Sequence, residues 1–223
     1  MNVMAHDDER PRVGISRCLL GDAVRHDGGH KRDALLLSTL GALVEWIPVC
    51  PEVEAGMGTP REAIDLVESD DGVPAGQARV RLLGVRSRTD WTETVTTFAA
   101  ARVATLGDLD GYVLKSDSPS CGLHGVRVQG GGGVTRVGRG LFAEALVQML
   151  PGLPVEEERR LSDEAVREDF VNRVLAHRRR RLAIPNPEPR IPNPGPRTPD
   201  PGSRIPDPGS RIPDPESRIP DPE

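Results

Sequence analysis

A seven-residue repeat rich in proline closes this sequence and limits what its final stretch can fold into. From Ile184 the chain reads IPNPEPR, IPNPGPR, TPDPGSR, IPDPGSR, IPDPESR and IPDPE. Repeated proline removes backbone hydrogen-bond donors and blocks helix formation, and each repeat offers at most one apolar side chain to a core. We therefore predict a disordered, proline-rich tail over residues 184–223, either extended or polyproline-like. An inert spacer is favoured over a ligand for a proline-binding partner.

The residues before the tail contain the material for a folded core. Of the 22 prolines, 14 lie from Pro185 onward, whereas all six aromatic residues lie before Val171. A net charge of −5 provides no basic field that would attract a nucleic acid. The sequence has neither an apolar signal region near its start nor a run of apolar residues long enough to span a membrane. We therefore expect a cytoplasmic protein with no membrane partner and no DNA partner.

Short apolar runs alternate with helical patterns along the first part of the chain. Extended runs predict strands over residues 12–16, 46–50, 77–85 and 111–116. Helical periodicity predicts helices over residues 33–45, 92–107, 140–150 and 161–181, the last with Ser162 as its N-cap. This alternation predicts an α/β fold with a mostly parallel sheet, flanking helices in a Rossmann-like arrangement and a C-terminal helix. The glycine-rich stretch at 129–140 fits no phosphate-binding pattern and is predicted to be a flexible loop.

Each of the three cysteines follows a predicted strand. Cys18 lies just past the first strand, Cys50 ends the second, and Cys121 lies a few residues beyond the fourth. Ligands of open α/β sheets bind outside the carboxyl ends of the strands, so we expect the three thiols at one edge of the sheet. An odd number of cysteines without an export signal argues against a disulfide framework. The absence of a CxxC pair makes the spacing alone a weak metal signal.

Three thiols without a histidine ligand suit iron–sulfur chemistry, because thiolate is the usual ligand of such clusters. A cubane cluster uses four ligands, so three would leave one iron open, and an open position is typical of catalytic metal sites. A soft atom such as sulfur would suit that iron. Zinc held by three cysteines and a water is the competing interpretation. The deaminase signature that would accompany zinc-assisted nucleobase hydrolysis, H-x-E with P-C-x-x-C, is absent from the sequence.

Four segments carry a resemblance to a known family. They read VGISRCLLGDAVRHDGGHKRD, VCPEVEAGMGTPRE, GYVLKSDSPSCGL and GRGLFAEAL, and they follow one another within residues 12–150. In content and order they resemble the thiouracil desulfurase family, formerly a domain of unknown function. The resemblance implies a desulfurase-like α/β domain over residues 12–150 and a helical appendage over residues 151–183. It also implies an enzyme that releases sulfide from 2-thiouracil or 4-thiouracil type bases, giving uracil without net redox change.

The resemblance further implies roles for individual residues. The three cysteines match the family's ligands of a 4Fe–4S cluster, whose open iron takes the sulfur of the substrate. Glu52 matches a catalytic group that handles the proton of the attacking water. Ser118, preferred to Ser120, matches the second catalytic group. The predicted substrate-binding residues are Arg25, Asp27, His30 and Lys115.

The segment GLPVEEERRLSDEAVREDFVNRVLAHRR resembles one that leads, in some relatives, into a second C-terminal domain. Those relatives act on 4-thiouridine in tRNA. Here the proline repeat begins where that domain would start, so a small thiolated base or nucleoside is a better expected partner than tRNA. Two alternatives stay open: a 4-thiouridine desulfidase acting on a nucleoside or tRNA, and a non-enzymatic iron–sulfur sensor.

Overall fold

The computed structural model describes residues 10–69 and 79–183, so the predicted tail lies outside the described residues. The strands are β1 (Arg12–Ser16), β2 (Glu45–Val49), β3 (Ile64–Ser69), β4 (Arg79–Gly84), β5 (Gly111–Leu114), β6 (Val126–Gly130), β7 (Gly133–Gly138) and β8 (Val155–Glu157). The helices are α1 (Ala34–Leu40), α2 (Pro51–Glu54), α3 (Thr92–Ala104), α4 (Leu141–Met149) and α5 (Glu164–Ala183). None of these described helices is long and apolar enough to cross a membrane.

Four parallel strands form sheet A in the order β2-β1-β5-β8. Val13 of β1 is in register with Trp46 of β2 on one side and with Gly111 of β5 on the other. Because parallel strands end at the same edge, the segments that follow β1, β2 and β5 leave the sheet side by side. The predicted α/β fold with a mostly parallel sheet, flanking helices and a C-terminal helix is confirmed.

A second sheet, sheet B, has the order β4-β3-β6-β7. Its outer pairs are antiparallel, and its central pair, β3 with β6, is parallel. The prediction of a flexible loop at 129–140 is wrong, because β6 and β7 form a hairpin there. Val126 and Val128 point into the core while Arg127 and Gln129 are exposed, which is the alternation of a half-buried strand. The glycines that follow conceal this short pattern in the sequence.

Helix α5 packs directly on sheet A. Its residues Phe170 and Val174 share a buried apolar cluster with Val13 and Val113 of the sheet. The contact is close, since a Cβ added at Gly111 would lie 2.7 Å from Cγ2 of Val174. Strand β8 also belongs to sheet A. Residues 151–183 therefore contribute both a strand and a helix to the same core as the preceding residues.

The first turn of α5 is capped by Asp163. Its Oδ1 accepts hydrogen bonds from the backbone N–H groups of Ala165 (2.9 Å) and Val166 (3.3 Å). The N-cap predicted at Ser162 is therefore wrong by one residue. The Ser162 hydroxyl instead donates to the carbonyl of Arg159. Both residue types favour this position, so sequence alone separates them poorly.

A buried carboxylate fastens the end of α5 to the amino-terminal edge of sheet A. Asp110 is fully buried, and its Oδ2 accepts a hydrogen bond from the backbone N–H of Arg12 at 2.9 Å. Arg178 Nη1 lies 3.4 Å from Oδ2, and Arg181 Nη2 lies 2.9 Å from Oδ1. A buried charge is tolerated only when it is paired and hydrogen-bonded. The carboxylate therefore joins strand β1, strand β5 and helix α5.

Replacing Asp110 with asparagine should lower the free energy of unfolding by about 3–5 kcal/mol, because two arginines then lack their shared anion. Urea denaturation measures the change. Asp108→Asn is the matched control: Asp108 also pairs with Arg12 but has 53% of its side chain exposed. This control should lose no more than about 1 kcal/mol. Equal losses in the two variants would contradict the anchoring role of Asp110.

Candidate active site

A cavity of about 350 Å³ opens where the strands of sheet A end. Its walls come from the segments after β1, β2 and β5 and from residues of β3 and β6 in sheet B. All three cysteines line it. Cys50 and Cys121 are buried, and Cys18 is partly exposed. The parallel arrangement of three neighbouring strands thus brings together thiols that are far apart in the sequence.

The other predicted site residues divide into two groups. Glu52, Ser118, Arg25 and Lys115 line the cavity with the cysteines. Asp27 and His30 are exposed and lie outside the lining.

Asp27 and His30 make local hydrogen bonds that stabilise the loop after β1. Asp27 Oδ1 accepts a hydrogen bond from the N–H of Gly29 at 3.0 Å and lies 3.5 Å from Nε of Arg25. His30 Nδ1 accepts from the N–H of Arg32 at 3.2 Å. The histidine that lines the cavity is His26. A turn separates His26 from His30: the N–H of Arg25 donates to the carbonyl of Gly29 (3.1 Å), and the N–H of Gly28 donates to the carbonyl of Arg25 (2.9 Å).

The surroundings of the three thiols favour their protonated forms. Burial, with the nearby Glu52 carboxylate adding to it, raises the pKa of Cys18 to about 11 and that of Cys50 to about 12. Burial likewise raises the pKa of Cys121 well above its usual range; Glu52 adds to this rise and a hydrogen bond with Ser16 opposes it. A metal centre bound to these sulfurs must therefore displace their protons.

The donor set fits an iron–sulfur cluster. All three cysteines line the same cavity, so their sulfurs share one environment. Within residues 10–69 and 79–183, no set of three histidine, cysteine or acidic side chains is arranged to hold a single metal ion. Thiolates of a cubane cluster need not converge on one point, because each is bound to a different iron. The sulfur chemistry and the volume of the cavity are therefore compatible with a cluster.

Glu52 lies beside Cys50 and is almost completely shielded from solvent. It is 8% exposed, and its Oε2 lies 3.5 Å from Sγ of Cys50. Arg61 Nη2 lies 4.0 Å from the same carboxylate oxygen. The guanidinium of Arg61 also donates to the carbonyls of Val24 (3.0 Å) and Gly58 (2.9 Å), which ties three segments together. Sequence reasoning missed Arg61, although it lies in the quoted stretch GMGTPRE.

Ser118 shapes the turn that carries Cys121. Its Oγ accepts hydrogen bonds from the N–H groups of Cys121 (3.0 Å) and Ser120 (3.3 Å). The hydroxyl proton of Ser118 is then left to donate to a group in the cavity. Ser120 is fully buried outside the lining, and its Oγ has no hydrogen-bond partner among the described residues. Of the two serines, Ser118 is the one that lines the cavity.

Helix α4 supports the same turn from behind. The N–H of Leu141 donates to the carbonyl of Pro119 (3.2 Å), and the N–H of Phe142 donates to the carbonyl of Ser120 (2.9 Å). This contact needs a residue without a side chain just before the helix. A Cβ added at Gly140 would lie 2.4 Å from the carbonyl of Ser120 and 2.8 Å from the backbone nitrogen of Cys121.

The parallel α/β fold places a thiol-lined cavity at its strand ends, where the ligands of open α/β sheets bind. Comparison with known proteins gives the family: the 2-thiouracil desulfurase family matches residues 13–158, and the chain belongs to it. A solved structure of a [4Fe-4S]-dependent thiouracil desulfidase, TudS, is similar, with a TM-score of 0.54 and 28% identity. The alignment covers 72% of this chain and 99% of that one. No curated protein matches. The resemblance read from the four segments is confirmed.

Gly140→Ala should disturb the Cys121 turn, because backbone atoms of that turn occupy the space that the new methyl group needs. Overpacking of this kind costs about 1–3 kcal/mol, and iron content after anaerobic reconstitution should fall with it. Gly107→Ala is the control, since a Cβ there meets no atom within 4 Å. Urea denaturation and iron analysis measure both effects. Full iron content with unchanged stability in Gly140→Ala would show that the turn does not depend on this packing.

Proposed function

We propose that this protein removes sulfur from thiolated pyrimidines of the 2-thiouracil or 4-thiouracil type, using a 4Fe–4S cluster held by Cys18, Cys50 and Cys121. One observation carries the proposal: three thiols from three separate strand ends line one cavity in a member of the 2-thiouracil desulfurase family. The description of the similar TudS structure as a [4Fe-4S]-dependent thiouracil desulfidase supports the cofactor. Thiouracil and water give uracil and sulfide, a reaction that balances without an oxidant or a reductant.

Three cysteine ligands leave one iron of a cubane cluster without a protein ligand. When the cluster is bound, that iron supplies Lewis-acid chemistry at the substrate sulfur. The cavity of about 350 Å³ suits a small substrate, so we propose a free base or nucleoside in preference to tRNA.

Glu52 is the proposed general base. It is the buried carboxylate nearest to Cys50, and it reaches the cavity without being one of the three sulfur ligands. Arg61 Nη2 lies 4.0 Å from Oε2 of Glu52 and supplies a positive charge beside it. The carboxylate takes one proton from the water that attacks the ring carbon and passes it to the departing sulfur, which leaves as hydrosulfide. The second proton of the water is lost when the new hydroxyl becomes the carbonyl oxygen of uracil, and Glu52, free again, accepts it.

Ser118 is the proposed hydrogen-bond donor of the site. Two backbone N–H groups fix its oxygen, so its own proton is directed by the turn rather than by solvent. A donor held in this way can orient the water or a polar edge of the pyrimidine. Arg25 is the proposed substrate-binding cation, and Asp27 acts on the substrate only by holding Arg25. His30 contributes no atom to the cavity lining, so we assign it no contact with substrate.

The proposal is tested by anaerobic cluster reconstitution followed by sulfide measurement with 2-thiouracil, 4-thiouracil, 4-thiouridine and thiolated tRNA. Serine replacements of Cys18, Cys50 and Cys121 should each remove most of the cluster absorbance and all desulfuration, because a hydroxyl is a poor ligand for this iron. Retention of full iron by any one variant would remove that residue from the ligand set. A wild-type protein with a full cluster that releases no sulfide from any of the four substrates would favour the sensor alternative.

Glu52→Gln separates binding from chemistry. The amide keeps the size of the side chain but cannot accept the proton of water. Iron content should stay normal and thiouracil should still perturb the cluster spectrum, whereas turnover should fall by about 100-fold or more, the usual contribution of a positioned general base. Glu62→Gln is the control, because Glu62 lies outside the lining and bonds to Ser87 and Arg86. Near-normal turnover in Glu52→Gln would exclude Glu52 from the mechanism.

A further inference from the structure

Three consecutive buried carboxylates end strand β8. Glu156, Glu157 and Glu158 are 5%, 6% and 9% exposed. Strand β8 pairs with β5, the strand that leads into the Cys121 turn, so these side chains lie at the same edge of sheet A as the thiols. Buried carboxylates are costly unless each is paired or hydrogen-bonded. The hydrogen-bond partners of the three carboxylates therefore indicate their structural role.

Glu158 binds the chain just before the cysteine turn. Its Oε2 accepts from the backbone N–H of Ser116 at 2.7 Å, and its Oε1 accepts from the Ser116 hydroxyl at 2.7 Å. The same Oε1 accepts from Nζ of Lys115. One carboxylate thus receives a backbone amide, a hydroxyl and an ammonium.

Glu157 binds the chain just after the same turn. Its Oε1 accepts from the N–H groups of Leu123 (2.8 Å) and His124 (3.2 Å). Residues 115–124 are therefore held at both ends by two consecutive carboxylates, Glu157 at the end of β8 and Glu158 just after it, and Cys121 lies between the two attachments.

The contacts of Lys115 leave it no proton for a substrate. Its Nζ donates to Glu158, to the carbonyl of Ser116 (2.9 Å) and to the Ser116 hydroxyl (3.0 Å). An ammonium group has three donors, and all three are used within the protein. Lys115 lines the cavity, but its charge is directed at Glu158.

We propose that Glu158 is a positioning residue for the Cys121 turn, acting through Lys115 and Ser116, and that Lys115 positions this turn instead of binding substrate. The inference rests on the proposed function in that it gives Cys121 the role of a cluster ligand. The carboxylate holds the turn in the conformation that presents the Cys121 sulfur to the cavity. Loss of the hydrogen bonds of Glu158 to Lys115 and Ser116 exposes the Cys121 sulfur to solvent, while the cysteine itself stays in the chain.

Glu156 provides a matched control from the same run. It is as buried as Glu158, but its carboxylate faces the other way, 3.4 Å from Nε of Arg160 and 3.6 Å from Nη2 of Arg173. Glu156→Gln removes a buried charge of equal size without touching the turn. A general loss of stability would affect the two variants alike, whereas a local effect on the turn appears only in Glu158→Gln.

The test uses the full chain without a cluster, labelled with a disulfide reagent such as DTNB under native conditions, with Cys121 followed by peptide mass spectrometry. Glu158→Gln should make Cys121 react about tenfold faster, because local opening of the turn becomes easier. Glu156→Gln should stay within about twofold of wild type. Equal acceleration in both variants, or none in Glu158→Gln, would overturn the proposal. Ser116→Ala removes only one hydroxyl and should act in the same direction if Glu158→Gln fails to fold.

A second measurement concerns Lys115 in the reconstituted enzyme. Lys115→Met should lower iron content while changing the KM for thiouracil by less than about twofold, since a positioning residue makes no substrate contact. A tenfold rise in KM with full iron content would make Lys115 a substrate ligand and overturn this part. The labelling experiment needs neither cluster nor substrate, so it stays decisive even if the protein proves inactive on every thiolated base.

Discussion

The parallel hydrogen bonding of β1 with both β2 and β5 is the constraint on which the site depends. Neighbouring parallel strands end at the same edge of the sheet. The cysteine that follows each of these three strands therefore lies in the same cavity as the other two. No short motif is needed to gather the thiols, which explains their distant positions in the sequence. The second sheet then closes the cavity with residues of β3 and β6.

Buried charge is distributed between the two edges of sheet A. At the amino-terminal edge, Asp110 joins β1 and β5 to the arginines of α5. At the carboxyl edge, Glu157 and Glu158 receive the donors of the cysteine turn. Each carboxylate is paired with a cation or accepts hydrogen bonds, as burial requires. The first arrangement stabilises the core, and the second holds the turn that carries Cys121.

The sequence was sufficient for the features that local pattern controls. Strand β1 was predicted at its exact residues, and the thiols were expected at one edge because each followed a strand. Features that depend on distant partners were not recoverable. The hairpin that begins at Val126 has too few alternating residues to be recognised. His26 lines the cavity in place of the predicted His30, because the turn between them directs the two residues differently. No local pattern marks Glu158, because its partners lie about forty residues earlier in the chain.

The separation of the three thiols has a consequence for how the site forms. Strand pairing between β1 and β5 joins residues almost a hundred positions apart, so the cavity exists only after long-range contacts have been made. An unfolded chain without a CxxC pair has no local loop in which two cysteines could hold iron together. A metal centre that binds only the folded state stabilises the entire folded protein. If Cys18, Cys50 and Cys121 hold the proposed cluster, loading with iron requires a completely folded sheet A, because the metal then joins three strand ends that the backbone leaves separate.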